Sequence, residues 1–153
     1  MAATTVDGVA GVQALVGEHL GFSEWVEVTQ ERVAAFADAT GDHQWIHVDV
    51  ARARAESPFG GPVAHGYLTL SLVPVLLGQI IEVTGFRLAV NYGADRVRFP
   101  SPVPVGARVR ASAVLDEARL IDGGVHLQIT VTLEVDGAEK PCCVATVLSR
   151  RYL

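Results

Sequence analysis

Asp42 and His47 stand within one short stretch, F-A-D-A-T-G-D-H-Q-W-I-H-V-D at residues 36–49, and a carboxylate and an imidazole held together at a cleft can share the protons of one water. Between them His43, Gln44, Trp45 and Ile46 alternate hydrogen-bonding groups with apolar ones that can anchor a loop. On residue type alone, other readings compete. An aspartate after a helix-ending glycine is often a turn former, and a loop histidine is often a surface residue. His43 and His47 are also four apart, with Asp42, Asp49 and His65 nearby, which invites a metal reading. Gly41 would end the helix needed to put those ligands on one face, and the zinc-protease pattern is absent, so no metal is expected.

The elements that must hold this pair can be read around it. Val33, Phe36, Ala37 and Thr40 recur at helical spacing after Thr29, a capping residue type, and Gly41 is the residue that commonly closes a helix. A short strand over 25–29 leads in, and a short helix over 48–56 follows, so that segment 29–56 carries the chemistry. Residues 57–66, S-P-F-G-G-P-V-A-H-G, form a shaped loop rather than a linker because Phe59 and Val63 interleave its glycines and prolines. His65 there can fix the loop by hydrogen bonding. Residues 67–81 are apolar on nearly every face, which predicts a buried helix bent at Pro74, with 64–81 as the central helical segment.

The second half reads as strands at 86–92, 96–99, 107–120, 125–135 and 141–152, separated by turn signals, within a sheet region spanning 86–152. Val125, Leu127, Ile129, Val131, Leu133 and Val135 fall on one face, and His126, Gln128, Thr130, Thr132 and Glu134 on the other. Asn91, Tyr92 and Gly93 interrupt a β-rich run, as a bulge or as a pocket wall. Arg96 and Arg98 share a strand face, either solvated or against phosphates. Val9, Val12, Leu15, Val16 and Leu20 predict a loosely amphipathic helix over 1–20, lying on the domain, and the lack of a basic start argues against a signal peptide.

With 153 residues, half of them apolar, the chain can build one domain over 1–153. A net charge of −5 disfavours nucleic acid and anionic membranes as partners, and the apolar runs are too short for membrane insertion. The two cysteines, Cys142 and Cys143, are adjacent and provide no disulfide framework, which fits a reducing compartment and a cytoplasmic location.

Three separated motifs then carry a resemblance: A-T-G-D-H-Q-W-I-H-V-D at 39–49, G-P-V-A-H-G-Y-L-T-L-S at 61–71 and V-R-F-P-S-P-V-P-V-G at 97–106. Together they resemble the MaoC-like, R-specific enoyl-CoA hydratase family, especially its short, single-domain, NodN-like mycobacterial-type members. The resemblance implies an α+β hot-dog fold, with an antiparallel sheet wrapped around a long central apolar helix. It also implies a homodimer with active sites near the interface, and hydration of a trans-2-enoyl-CoA thioester to (R)-3-hydroxyacyl-CoA. By the same resemblance Asp42 and His47 match the catalytic pair, Gly66 the backbone N–H that binds the thioester oxygen, and Ser71 a polar position on the central helix. Gln44, His65, Tyr67 and Asn91 complete the expected substrate pocket. Gln44-Trp45 replaces the family's common Asn-Pro.

Adding water to an unsaturated thioester requires an activated oxygen for C3, a proton for C2 and stabilisation of the intervening enolate. Two titratable groups and one N–H suffice, so no cofactor is expected beyond the CoA of the substrate. Three alternatives share the fold: a 3-hydroxyacyl dehydratase acting on acyl-carrier protein, an acyl-CoA thioesterase, and a non-catalytic acyl-CoA-binding module.

Overall fold

The computed structural model describes residues 2–153, and its first elements depart from the helix expected over 1–20. Thr4, Thr5 and Val6 are β-branched, a type that favours extended backbone, and they form strand β1 (Thr4–Asp7). Helix α1 (Gly8–Gln13) follows and lasts only six residues. Gly17 then adopts a left-handed φ of 87°, and Leu20, assigned to the helix by its spacing, lies in strand β2 (His19–Phe22). The glycines thus cut an apparent helical period into a strand, a short helix and a second strand.

Strand β3 (Val26–Glu27) leads into helix α2 (Gln30–Thr40), whose ends are those the sequence marks. The Thr29 hydroxyl accepts from the Arg32 N–H at 3.2 Å, and Gly41, at φ 80°, donates its N–H to the Ala37 carbonyl at 2.8 Å. The stretch expected as loop contains a helical turn, α3 (Trp45–Val48), and the short helix expected over 48–56 is α4 (Val50–Glu56), capped by Asp49, which accepts from the Arg52 N–H at 3.0 Å.

The central helical segment comes in two pieces, α5 (Gly66–Ser71) and α6 (Val73–Ile80), joined at Leu72, which keeps helical angles. Pro74 lacks an N–H, so the carbonyl of Leu70, four residues earlier, loses its usual helical partner and the segment divides there. Ile81, expected in the helix, is extended and opens strand β4 (Ile81–Thr84), which pairs in parallel with β1, Thr4 opposite Ile81 and Asp7 opposite Thr84.

The remaining strands are β5 (Leu88–Arg98), β6 (Arg108–Ile121), β7 (Gly124–Val135) and β8 (Pro141–Tyr152). They lie in the order β2-β6-β7-β8-β5, antiparallel throughout, with β3 also paired to β6. Strand β5 joins two strands that the sequence suggested separately. Its register shifts between Asn91 and Gly93 and again between Asp95 and Arg98, where Arg96 takes φ 53°, and these bulges are what broke the alternation in the sequence.

The inner face of β7 follows the predicted alternation: Val125, Leu127, Val131 and Leu133 are buried against Leu68, Leu72, Val73, Leu76 and Ile80 of the central segment. Each large side chain removed from water in this way contributes about 1.5–3 kcal/mol. A sheet curled over a central helical segment is the hot-dog form of the α+β class. Cys142 and Cys143 are both buried in β8 as free thiols. Burial pushes their pKa up to about 12 and about 11. Strand β5 forms one edge of the sheet and exposes Leu88, Val90 and Tyr92.

Candidate active site

The site begins where α2 stops. Beyond Gly41, the Asp42 N–H donates to Thr40 Oγ1 at 3.4 Å, and Asp42 Oδ1 accepts from the Gln44 N–H at 3.3 Å. This Asx turn holds the carboxylate in an exposed position at the head of α3. The turn of α3 then carries His47 inward, to 7% exposure, and the Gln30 side chain donates to the His47 carbonyl at 2.8 Å.

His47 is held by its ring as well. Nδ1 lies 2.6 Å from the carbonyl oxygen of Val63, in the segment that leads to α5. A carbonyl only accepts, so Nδ1 carries the proton and Nε2 presents a lone pair. Burial lowers the His47 pKa, and the neighbouring His65 adds to this against the opposing pull of Asp42 and the Val63 hydrogen bond. The neutral, proton-accepting form is therefore the one favoured at pH 7.

His65, at 2% exposure, is stacked on His47 with ring centroids 3.8 Å apart and planes 25° from parallel. Its Nε2 donates to the Asp42 carbonyl at 2.9 Å, which ties the loop of one catalytic candidate to the ring beside the other. Ligand-type atoms of Asp42, His47 and His65 lie within 4.8 Å of one another. Stacking nevertheless opposes a shared metal ion, because each imidazole must hold the ion in its own plane at about 2.0–2.1 Å. Rings stacked with centroids 3.8 Å apart and planes only 25° from parallel are poorly placed to do so together.

Gly66 follows His65 and opens α5, where the first N–H groups of a helix have no partner within it. A Cβ built on Gly66 would lie 3.0 Å from the Phe99 ring, and its φ is not left-handed, so the constraint here is space: a side chain would have to push the Phe99 ring aside. A cavity of about 350 Å³ touches both His47 and Gly66, walled by Phe59, Val63, Phe99 and Val103.

The other expected residues separate from this centre. Gln44 is exposed and joins the Asp42 turn through its backbone. The Tyr67 side chain points outward at 72% exposure, meeting Phe99 edge-on at 6.3 Å. The Ser71 hydroxyl donates back to the Tyr67 carbonyl at 2.6 Å, and Ser71 and Asn91 line a second, larger cavity beneath β5. Among residues that sequence reasoning missed, Val63 acts through its carbonyl, which side-chain identity does not reveal. Phe99 lies in one of the three motifs, and its bulk was a signal of a wall.

The MaoC like domain model matches residues 11–137. Over 147 residues the chain is 52% identical to 3-hydroxyacyl-thioester dehydratase Z of Mycobacterium tuberculosis, covering 95% of this chain and 97% of that protein. Nodulation protein N of Rhizobium meliloti is 45% identical over 141 residues, or 90% of this chain and 86% of its own. Among solved structures, the (R)-hydratase from A. caviae involved in PHA biosynthesis matches with a TM-score of 0.70 at 26% identity, covering 88% of this chain and 94% of that one. A family match over most of the chain, joined to relatives of this identity and coverage, means that the chain belongs to the MaoC-like dehydratase family.

Proposed function

We propose that this chain is an R-specific enoyl-CoA hydratase, adding water to trans-2-enoyl-CoA to give (R)-3-hydroxyacyl-CoA and catalysing the reverse dehydration. The observation that carries the reading is the fixed tautomer of His47: Nδ1 is bound to the Val63 carbonyl and Nε2 is left as a base beside Asp42. Water bound between Nε2 and the Asp42 carboxylate gives up a proton to Nε2 as its oxygen attacks C3. The C2–C3 π pair moves into an enolate, whose oxygen accepts from the Gly66 N–H at the positive end of α5. His47, now protonated, returns its proton to C2 on the face from which the oxygen came, so addition is syn. The family and its thioester dehydratase relative support the reaction class. The choice of CoA as carrier and the R configuration are parts of the proposal, and no metal or redox cofactor takes part in it.

Strand β5 supports a homodimer. Its outer edge is long and unpaired among the described residues, and its exposed face carries Leu88, Val90 and Tyr92, a combination that another copy would cover by extending the sheet. Sedimentation is expected to give twice the chain mass at micromolar concentration, and a stable, active monomer would overturn this arrangement.

Purified protein incubated with crotonyl-CoA tests the chemistry. Loss of the conjugated thioester without release of free CoA, with 3R product by chiral analysis, is the expected result. Stoichiometric CoA release would identify a thioesterase instead, and binding without turnover a non-catalytic module.

A further inference from the structure

The larger cavity beneath β5 has a volume of about 530 Å³ and a mostly apolar wall, with Ser71, Asn91 and Ser149 among its polar lining. It starts at Leu70 and Ser71, about one helical turn beyond Gly66, and runs past Leu77 to Ile81. From Leu70 to Ile80 the helical segment advances about 15 Å. Among the described residues one charged side chain, Arg151, lines it.

The register of the sheet shows why Arg151 is there. On β8 it sits between Val125 of β7 and Ala89 of β5, and Val125 is a fully buried core residue. Strand residues in register share a face, so Arg151 projects inward while its neighbour Arg150 turns outward and stacks on Tyr92 at 3.6 Å. Arg151 Nε is buried with no hydrogen-bond partner among the described residues. Among the described residues no carboxylate lines the cavity and no ion pair includes Arg151. Arg151 is half-buried, so its guanidinium is only partly desolvated, and an anion that enters the cavity would supply the partner its Nε lacks.

We propose that Arg151 is a specificity residue that selects acyl chains bearing a carboxylate at the end remote from the thioester. The fork of N–H donors in a guanidinium matches a carboxylate in two parallel hydrogen bonds, which a terminal methyl cannot offer. The apolar wall takes the methylene chain and Arg151 takes the terminal anion. The inference rests on the acyl-thioester reading above and specifies which thioesters.

The test compares kcat/KM of the intact protein for trans-2-enoyl-CoA substrates of matched length ending in methyl or in carboxylate, with crotonyl-CoA as a reference too short to reach Arg151. At the length that spans the cavity, the carboxylate-ended substrate is expected to be preferred by about tenfold to a hundredfold, the range for a hydrogen bond to a charged group. Arg151→Met should reverse the preference and leave crotonyl-CoA turnover unchanged, and Arg151→Lys should retain part of it. Equal or methyl-favouring rates at every length in the natural protein would overturn the proposal, as would a preference that survives Arg151→Met. A loss of dimer in Arg151→Met would also overturn it, by assigning the guanidinium to the contact between copies. If Arg151→Met does not fold, the ratio in the natural protein and Arg151→Lys still decide. If crotonyl-CoA is not hydrated at all, the proposed reaction fails by itself. Equilibrium binding of saturated acyl-CoAs with either ending then decides the role of Arg151 separately.

Discussion

Two buried histidines, His47 and His126, share a low exposure and a depressed pKa, and only His47 has the surroundings that the proposed catalysis needs. His126 belongs to β7, at 4% exposure on the face predicted to be polar, because the Tyr92 ring meets it edge-on at 5.7 Å. Burial lowers its pKa, reinforced by Arg119 and Arg150, its neighbours in register on β6 and β8. Its Nδ1 has no hydrogen-bond partner among the described residues. His47 is also desolvated, but its Nδ1 is committed to Val63, Asp42 stands nearby, and a cavity lies beside it. A shifted pKa by itself therefore marks burial. A fixed tautomer with a neighbouring carboxylate and open volume marks a site.

The sharpest way to break this comparison is to remove proton transfer from the pair. His47→Gln and Asp42→Asn should each lower turnover by about 10²–10⁴-fold, with melting temperature and oligomeric state little changed. If both residues act on one water, as proposed, the double variant should lose far less than the product of the single losses. Retention of near-normal crotonyl-CoA hydration by Asp42→Asn would end the mechanism.

A smaller loss, on the order of 10²-fold, is expected for Gly66→Val, whose branched side chain would press on the Phe99 ring and shift the thioester oxygen from its donor. Full turnover in a normally folded Gly66→Val would remove the backbone N–H from the mechanism.

The acidic limb of kcat/KM should report His47 as the free-protein base, with its midpoint below the ordinary value of 6.5 because the folded pKa is depressed. The same direction governs stability. For both histidines the unfolded chain takes up its proton first, so stability is expected to fall as the pH drops through 6.5 and further down. Denaturant titrations over that interval check this. The smallest effect on catalysis belongs to His126→Leu, which should reduce the acid sensitivity of stability while leaving the acidic limb of kcat/KM in place. A displaced limb in that variant would mean that His126, and not His47, sets it.

Much of this was legible from side-chain pattern. Thr29 and Gly41 marked both ends of α2, the alternation of β7 marked its buried face, and Pro74 marked the division of the central helical segment. The N-terminal twenty residues misled because Val9, Val12 and Leu20 satisfy a helical period across Gly17, whose left-handed backbone ends any helix. Parallel pairing of β1 with β4 joins residues far apart in sequence and leaves no local signature. In the site, the residue types of Asp42 and His47 were readable, whereas the bond that fixes His47 comes from the backbone of Val63. Ser71 was placed near the chemistry by resemblance and Asn91 was read as a bulge or a pocket wall from its break in the strand pattern; both line the larger cavity, and the register of β5 shifts after Asn91.

The paired thiols of β8 make the fold its own reporter. With Cys142 and Cys143 buried and their pKa values pushed up to about 12 and about 11, neither offers much thiolate at neutral pH. A disulfide dye added during turnover would thus register released CoA with little background from the protein. In denaturant the same dye would count two thiols per chain as the β8 segment opens. One reagent would then separate thioester cleavage from hydration in the native protein and time the opening of its core in the unfolding one.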